Sequence, residues 1–124
     1  MKINETMKTY LDYASSLPGA DVYYRESWEC YYFSLLGKCF GRLNEESLTL
    51  KGDPTQNQLL RSQYSDVTPG YYSNKLHWNT IYIQTKQLSS TSIQELILDS
   101  YRLVYENLTR KDKAIISEIN PHIE

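Results

Sequence analysis

Met7, Tyr10, Leu11, Ala14 and Leu17 recur at the three- and four-residue spacing that lines one face of a helix. Asn4 offers a capping side chain, and Pro18-Gly19 is a strong stop, so the pattern predicts a helix over residues 5–16. Beyond it the period drops to two. The runs 31–36 and 39–43 flank Gly37-Lys38, and a two-residue loop that begins with Gly suits a tight hairpin. Residues 44–46 then turn the chain into a third run, 47–51. With these loops Tyr32 faces Leu43, Leu36 faces Cys39, Leu43 faces Leu48 and Gly41 faces Leu50. One sheet face then carries Tyr32, Leu36, Cys39, Leu43, Leu48 and Leu50, the expected core. The other carries Phe33, Leu35, Phe40, Arg42, Thr49 and Lys51. A slip of one residue exchanges the two faces, so the placement is sharp.

Asp53-Pro54 pairs an N-cap acceptor with proline in the first helical position, predicting a helix over 54–64 with Leu59, Leu60 and Tyr64 for packing. Val67-Thr68-Pro69-Gly70 reads as a turn. A strand follows over 77–83. Alternation puts Ile81 and Ile83 toward the helices, and Trp78 and Tyr82 on the opposite, uncovered face with Phe33, Phe40 and Lys51. Ser92-Ile93-Gln94-Glu95 matches a capping box and opens a third helix, with Ile93, Leu96, Ile97, Ser100, Tyr101, Val104 and Leu108 along one side. Ile115, Ile116 and Ile119 ahead of Pro121 suit a short final helix. The order is helix, three strands, helix, two strands, helix. It predicts an α+β fold of two layers, an antiparallel sheet with helices on one face. No repeat, low-complexity run or linker divides the chain, so residues 1–124 read as one domain.

Composition narrows this picture. A chain of 124 residues, 40% hydrophobic and 23% charged, can bury a core without a metal or disulfide. Its twelve tyrosines pair apolar rings with polar tips, suited to core and surface alike. No run approaches the roughly 20 apolar residues of a membrane span, and the N-terminus lacks a signal-peptide pattern. The hairpin register holds Cys30 and Cys39 beyond disulfide reach, and unpaired cysteines fit a reducing compartment. A cytoplasmic location with no membrane association is expected. The net charge of −2 opposes nonspecific nucleic-acid coating, but residues 51–86 carry four basic and two acidic groups.

Chemistry is sparse. The histidines are His77 and His122, and neither belongs to a spaced pair of the kind zinc needs. No nucleophile elbow, zinc-protease helix or glycine-rich phosphate loop occurs. The expectation is a non-enzymatic binding module with no metal or cofactor. The segment 69–80 stands apart, because it gathers Tyr71, Tyr72, Asn74, Lys75, His77, Trp78 and Asn79 beside a Pro-Gly turn. Such a mixture can stack on bases and touch phosphates, or anchor a protein partner.

A set of ordered stretches resembles the MmcQ/YjbR family of small bacterial domains. They are Gly37-Lys38-Cys39-Phe40, Leu50-Lys51-Gly52-Asp53-Pro54, Leu60-Arg61 with Tyr64, Pro69-Gly70-Tyr71, Asn74-Lys75, His77-Trp78-Asn79-Thr80, and Asp99-Ser100-Tyr101-Arg102-Leu103-Val104. The resemblance covers about residues 30–113. It departs at Tyr72-Ser73, where the family tends to show His-Met, and residues 20–30 match nothing in it. It implies an α-β3-α-β2-α fold similar to secretion chaperones, and a DNA-binding role. On that reading Lys51, Arg61, Lys75 and His77 would meet phosphates and Trp78 would stack on a base. The alternative is a protein-interaction module whose partner is another protein or a second copy of the chain.

Overall fold

The computed structural model describes residues 3–70 and 74–119. Tyr71, Tyr72 and Ser73 of the singled-out segment, and Pro121 and His122 of the tail, lie outside the described residues. Along the chain run α1 (Glu5–Ser16), β1 (Ala20–Arg25), a short 3-10 turn (Glu26–Trp28), β2 (Cys30–Leu35), β3 (Lys38–Leu43) and β4 (Ser47–Lys51). They are followed by α2 (Pro54–Gln63), β5 (Val67–Pro69), β6 (Trp78–Tyr82), α3 (Ser90–Glu106) and α4 (Arg110–Ile119). The strands form one antiparallel sheet in the order β1-β2-β3-β4-β6-β5. The expected two-layer α+β architecture holds, enlarged by one strand, and the short final helix is present as α4.

Local chemistry sets the element ends. The Asn4 side chain accepts from the Met7 N–H at 2.8 Å, and Asp53 accepts from the Gln56 N–H at 3.1 Å. For α3 the cap is Ser89, whose Oγ accepts from the Ser92 N–H at 3.0 Å. The helix thus starts a turn earlier than the capping box suggests. β1 was not expected at all. Four of its six residues are exposed, so the alternation that marks a half-buried strand is absent. Val67–Pro69, read as a turn, is a short edge strand paired with β6.

The first hairpin corrects the sequence reading. Its loop is Leu36-Gly37, not Gly37-Lys38, and both loop residues have positive φ, 48° and 80°. That is the pattern of a type I′ hairpin loop, which matches the right-handed twist of the strands. The one-residue shift pairs Tyr31, not Tyr32, with Leu43, and Cys39 with Ser34, not Leu36. The faces of β2 exchange. Phe33 and Leu35, expected on the uncovered face, are fully buried, whereas Tyr32 and Leu36, expected in the core, are not. A bulge opposite Phe33 adds a residue to β3 and turns Phe40 inward as well, leaving Cys39 on the outer face. The β3–β4 register stands as expected, with Leu43 opposite Leu48 and Gly41 opposite Leu50.

The helices pack over the sheet side that carries Phe33, Leu43, Leu48 and Ile81. α1 lies on β1 and against α3, α3 crosses β2 to β4, and α2 covers β5 and β6. The core joins Met7, Tyr10, Leu11 and Ala14 of α1 with Ile93, Ile97, Tyr101 and Val104 of α3, over Phe33, Leu43, Leu48 and Ile81 of the sheet. Ile81 and Ile83 are buried as alternation requires. Leu59, expected to pack, is exposed, while Leu60 and Tyr64 pack against the core. Cys30 and Cys39 are both free.

Candidate functional site

The segment that carries Lys75, His77 and Trp78 is held by its backbone. Three successive carbonyls, those of Lys75, Leu76 and His77, are captured by other elements. The Arg61 guanidinium donates to Lys75 O, Asn57 Nδ2 donates to Leu76 O at 3.2 Å, and the Gly52 N–H donates to His77 O at 2.8 Å. Arg61 Nε also donates to Asn79 Oδ1 at 2.7 Å, and Asn79 Nδ2 donates to Asn57 O at 3.1 Å. Asn57 and Asn79 are buried, and among the described residues no buried side-chain nitrogen or oxygen lacks a hydrogen-bond partner. Gly52 is obligatory, because a Cβ there would lie 2.1 Å from Asn57 Oδ1. With its carbonyls turned inward, the segment presents the side chains of Lys75, Leu76 and His77 to solvent.

The strand registers define a second feature. One row of cross-strand neighbours crosses the whole sheet on the side away from the helices: Tyr23, Tyr32, Arg42, Thr49, Thr80 and Thr68. Beside this row Lys51 stands opposite Trp78, and Ser47 opposite Tyr82. The core residues that meet α1 and α3, Phe33, Leu43, Leu48 and Ile81, lie on the opposite side. Two cations lie over rings on the uncovered side. The Arg25 guanidinium lies 4.9 Å from the Tyr32 ring centre, and the Arg42 guanidinium lies 5.5 Å from that of Trp78. Tyr23 stacks on Tyr32 with centroids 5.9 Å apart. Trp28, 53% exposed on its 3-10 turn, walls a hollow floored by Thr49 and Thr80 and bounded by Arg42. The Thr49 and Thr80 hydroxyls bond at 2.9 Å, which closes the floor. The face is graded. Lys51 and Trp78 mark one end, next to Lys75 and His77, while Glu45 and Glu46 lie near Trp28 at the other.

A third feature lies in the helical layer. A cleft of about 400 Å³ opens between α2 and α3, with Leu50, Leu60, Ile81 and Leu103 among its walls. Asp99 and Arg102 stand at its rim, and burial raises the Asp99 carboxyl above its ordinary range against the opposing pull of Arg102. Ser100 Oγ, at the cleft's base, donates to Lys51 O at 2.5 Å and so ties the end of β4 to α3.

Of the residues chosen from sequence, Lys51 and Trp78 meet as cross-strand partners on the uncovered face, and Lys75 and His77 are exposed beside them. Arg61 lies in the other layer with its guanidinium engaged in the loop. Sequence reasoning put Arg42 on the uncovered face but did not single it out. It missed Tyr23, Arg25, Trp28 and Tyr32. Their signal, five aromatics with one arginine across 23–32, was hidden by the unrecognised β1 and the slipped hairpin. Among the described residues no group of three or more His, Cys, Asp or Glu could hold a metal ion. No described helix is long and apolar enough to cross a membrane.

The comparisons with known proteins agree on one family. The family model described as YjbR matches residues 15–103. The Escherichia coli K12 protein YjbR is 27% identical over 118 residues, covering 92% of this chain and 99% of that one. YbdF of Escherichia coli O157:H7 is 30% identical over 115 residues, covering 90% and 91%. Two crystal structures share the fold. A Deinococcus radiodurans protein with domain DUF419 superposes with a TM-score of 0.75 at 24% identity, over 86% of this chain and 83% of that one. A Pseudomonas syringae protein gives 0.67 at 24% identity, over 82% and 98%. A match spanning more than half of the chain, with relatives aligned along nearly all of it, places the protein in the YjbR family.

Proposed function

We propose that this protein is a non-enzymatic binding module whose uncovered sheet face takes single-stranded nucleic acid, DNA in the first instance. The observation that carries the reading is the pairing of cations with rings on that face: Arg25 over Tyr32, and Arg42 over Trp78, with Lys51 beside the indole. Bases present a flat π-face whatever their identity, and phosphates need cations at short intervals. A strip of this kind meets both needs without reading sequence. The net charge of −2 belongs to the whole chain, whereas Arg42 and Lys51 both lie beside Trp78 on this face. Lys75 and His77 extend the Lys51–Trp78 end; Arg61 supports it from behind.

The test is binding of a short single-stranded oligonucleotide as a function of salt. Each phosphate contact contributes about 0.7 to the slope of log affinity against log salt. Lys51→Ala lowers that slope by about this amount, while Trp78→Ala removes a stacking contribution of about 1–3 kcal/mol. Absence of binding at low salt rejects the reading.

The second reading is docking of an apolar segment of a protein partner, favoured by the apolar walls of the cleft between α2 and α3. Binding there survives high salt and is lost in Leu103→Asp, which leaves the sheet face intact.

A further inference from the structure

The two edges of the sheet are built differently. β5 is three residues long and ends in Pro69, which has no N–H to offer. β1 has six residues, no proline and no lysine, and four exposed positions. Among the described residues it pairs with β2 on one side and with nothing on the other. An edge of that length is a template for another strand unless its side chains forbid pairing. Those of β1 favour it, provided the incoming strand is β1 itself.

The strand reads Ala-Asp-Val-Tyr-Tyr-Arg. Laid antiparallel on a copy of itself about Tyr23, it sets Asp21 opposite Arg25 of the second copy, and Arg25 opposite that copy's Asp21. Val22 falls opposite Tyr24, and the two Tyr23 side chains meet on the axis. Centring on Val22 or on Tyr24 loses both charge pairs, so one register is selected. We propose that the chain forms a two-fold symmetric homodimer through this β1–β1 contact. Opposite charges and aromatic pairs across antiparallel strands are each stabilising, and a contact repeated by symmetry uses each pair twice. Main-chain hydrogen bonds along the edge supply the rest.

The geometry has a consequence for the uncovered face. Asp21, Tyr23 and Arg25 all point to that side, as their alignment with Tyr32 shows. The dimer joins two uncovered faces into one surface, with the stacked Tyr23 and Tyr32 of each copy meeting at its centre. The dimer does not depend on what that face binds.

Sedimentation equilibrium on the full chain tests the contact. The wild type is expected to reach the mass of two chains as concentration rises. Asp21→Arg places like charges opposite each other twice and weakens association by at least about tenfold; Arg25→Asp does the same. Mixing these two variants restores a dimer, because one chain then carries two cations on the strand and the other two anions. Recovery on mixing also excludes misfolding as the cause of the single-variant loss. A wild type that stays monomeric, a dimer insensitive to either substitution, or failure of the mixture to associate overturns the proposal.

Discussion

Arg61 and Lys75 carry the same charge and were chosen from sequence for the same role, yet the fold uses them differently. Arg61 donates to Asn79 Oδ1 and to the Lys75 carbonyl, and Asn79 is only 3% exposed. Arg61→Ala leaves that buried acceptor short of a donor. It is expected to lower stability by about 1–3 kcal/mol in urea unfolding. Lys75→Ala, at an exposed side chain, is expected to change stability by less than about 0.5 kcal/mol, and to reduce the salt dependence of oligonucleotide binding. Equal stability losses in the two variants would contradict this division. Sequence could identify both as cations near an aromatic segment. It could not say which would be consumed in holding the loop, because that depends on Asn57 of α2 and Gly52 at the end of β4 both meeting the segment. Tyr101 shows another long-range tie. Its hydroxyl donates to Pro18 O at 2.6 Å, and burial, with a smaller effect of Tyr105, pushes its pKa from 10.0 up to about 12. The folded state therefore resists forming the phenolate. Its contribution to stability is complete below pH 10 and is lost as pH climbs toward 12. Tyr101→Phe is expected to cost about 0.5–1.5 kcal/mol at neutral pH and to flatten the alkaline fall in an unfolding series. An unchanged alkaline profile would assign that fall to other groups.

At the level of elements, the secure readings were those with local chemistry behind them. Asn4, Asp53 and Pro54 mark helix starts because a cap acts within one turn, and the structure uses each of them. The hairpin failed because two different loops fit the same glycine. Gly37 suits the first position of one two-residue turn and the second position of another, and Leu36 gives no hint that it accepts positive φ. Buried area decided the matter: the observed loop hides Phe33, Leu35 and Phe40 together. Leu36 is therefore strained in the position where asparagine is at ease. Leu36→Asn is expected to stabilise the domain by about 0.5–1 kcal/mol. Gly37→Ala, at φ 80° with nothing within 4 Å of the added Cβ, is expected to cost about 1–2 kcal/mol through backbone conformation alone. Thermal denaturation of the two variants checks both signs; a stabilising Gly37→Ala would mean that the turn is of another type.

Across the whole molecule, the two-layer arrangement was legible because the count and spacing of amphipathic segments leave few alternatives. The uncovered face was legible only in part. Alternation along β6 correctly assigned Trp78 and Tyr82 to it, and Arg42 was placed there too, while the slipped hairpin supplied Phe33, Leu35 and Phe40 in place of Tyr32. The corrected face exchanges buried Phe33, Leu35 and Phe40 for Tyr32 and the side chains of β1, so it is more polar than the one expected from sequence. The cleft between α2 and α3 had no periodic signal, since it forms where Leu50, Leu60 and Leu103 from three separate elements leave a gap.

Both tryptophans of the chain, Trp28 and Trp78, border the uncovered face. Their fluorescence therefore reports on that face. The decisive measurement is a titration of the intact protein with a short single-stranded oligonucleotide at low and at high salt, with a duplex of the same sequence as the comparison. The account predicts saturable quenching by the single strand, loss of affinity as salt rises, and a weaker response to the duplex, whose bases are already stacked. Unchanged fluorescence with the single strand at low salt, or quenching that is indifferent to salt, would contradict it.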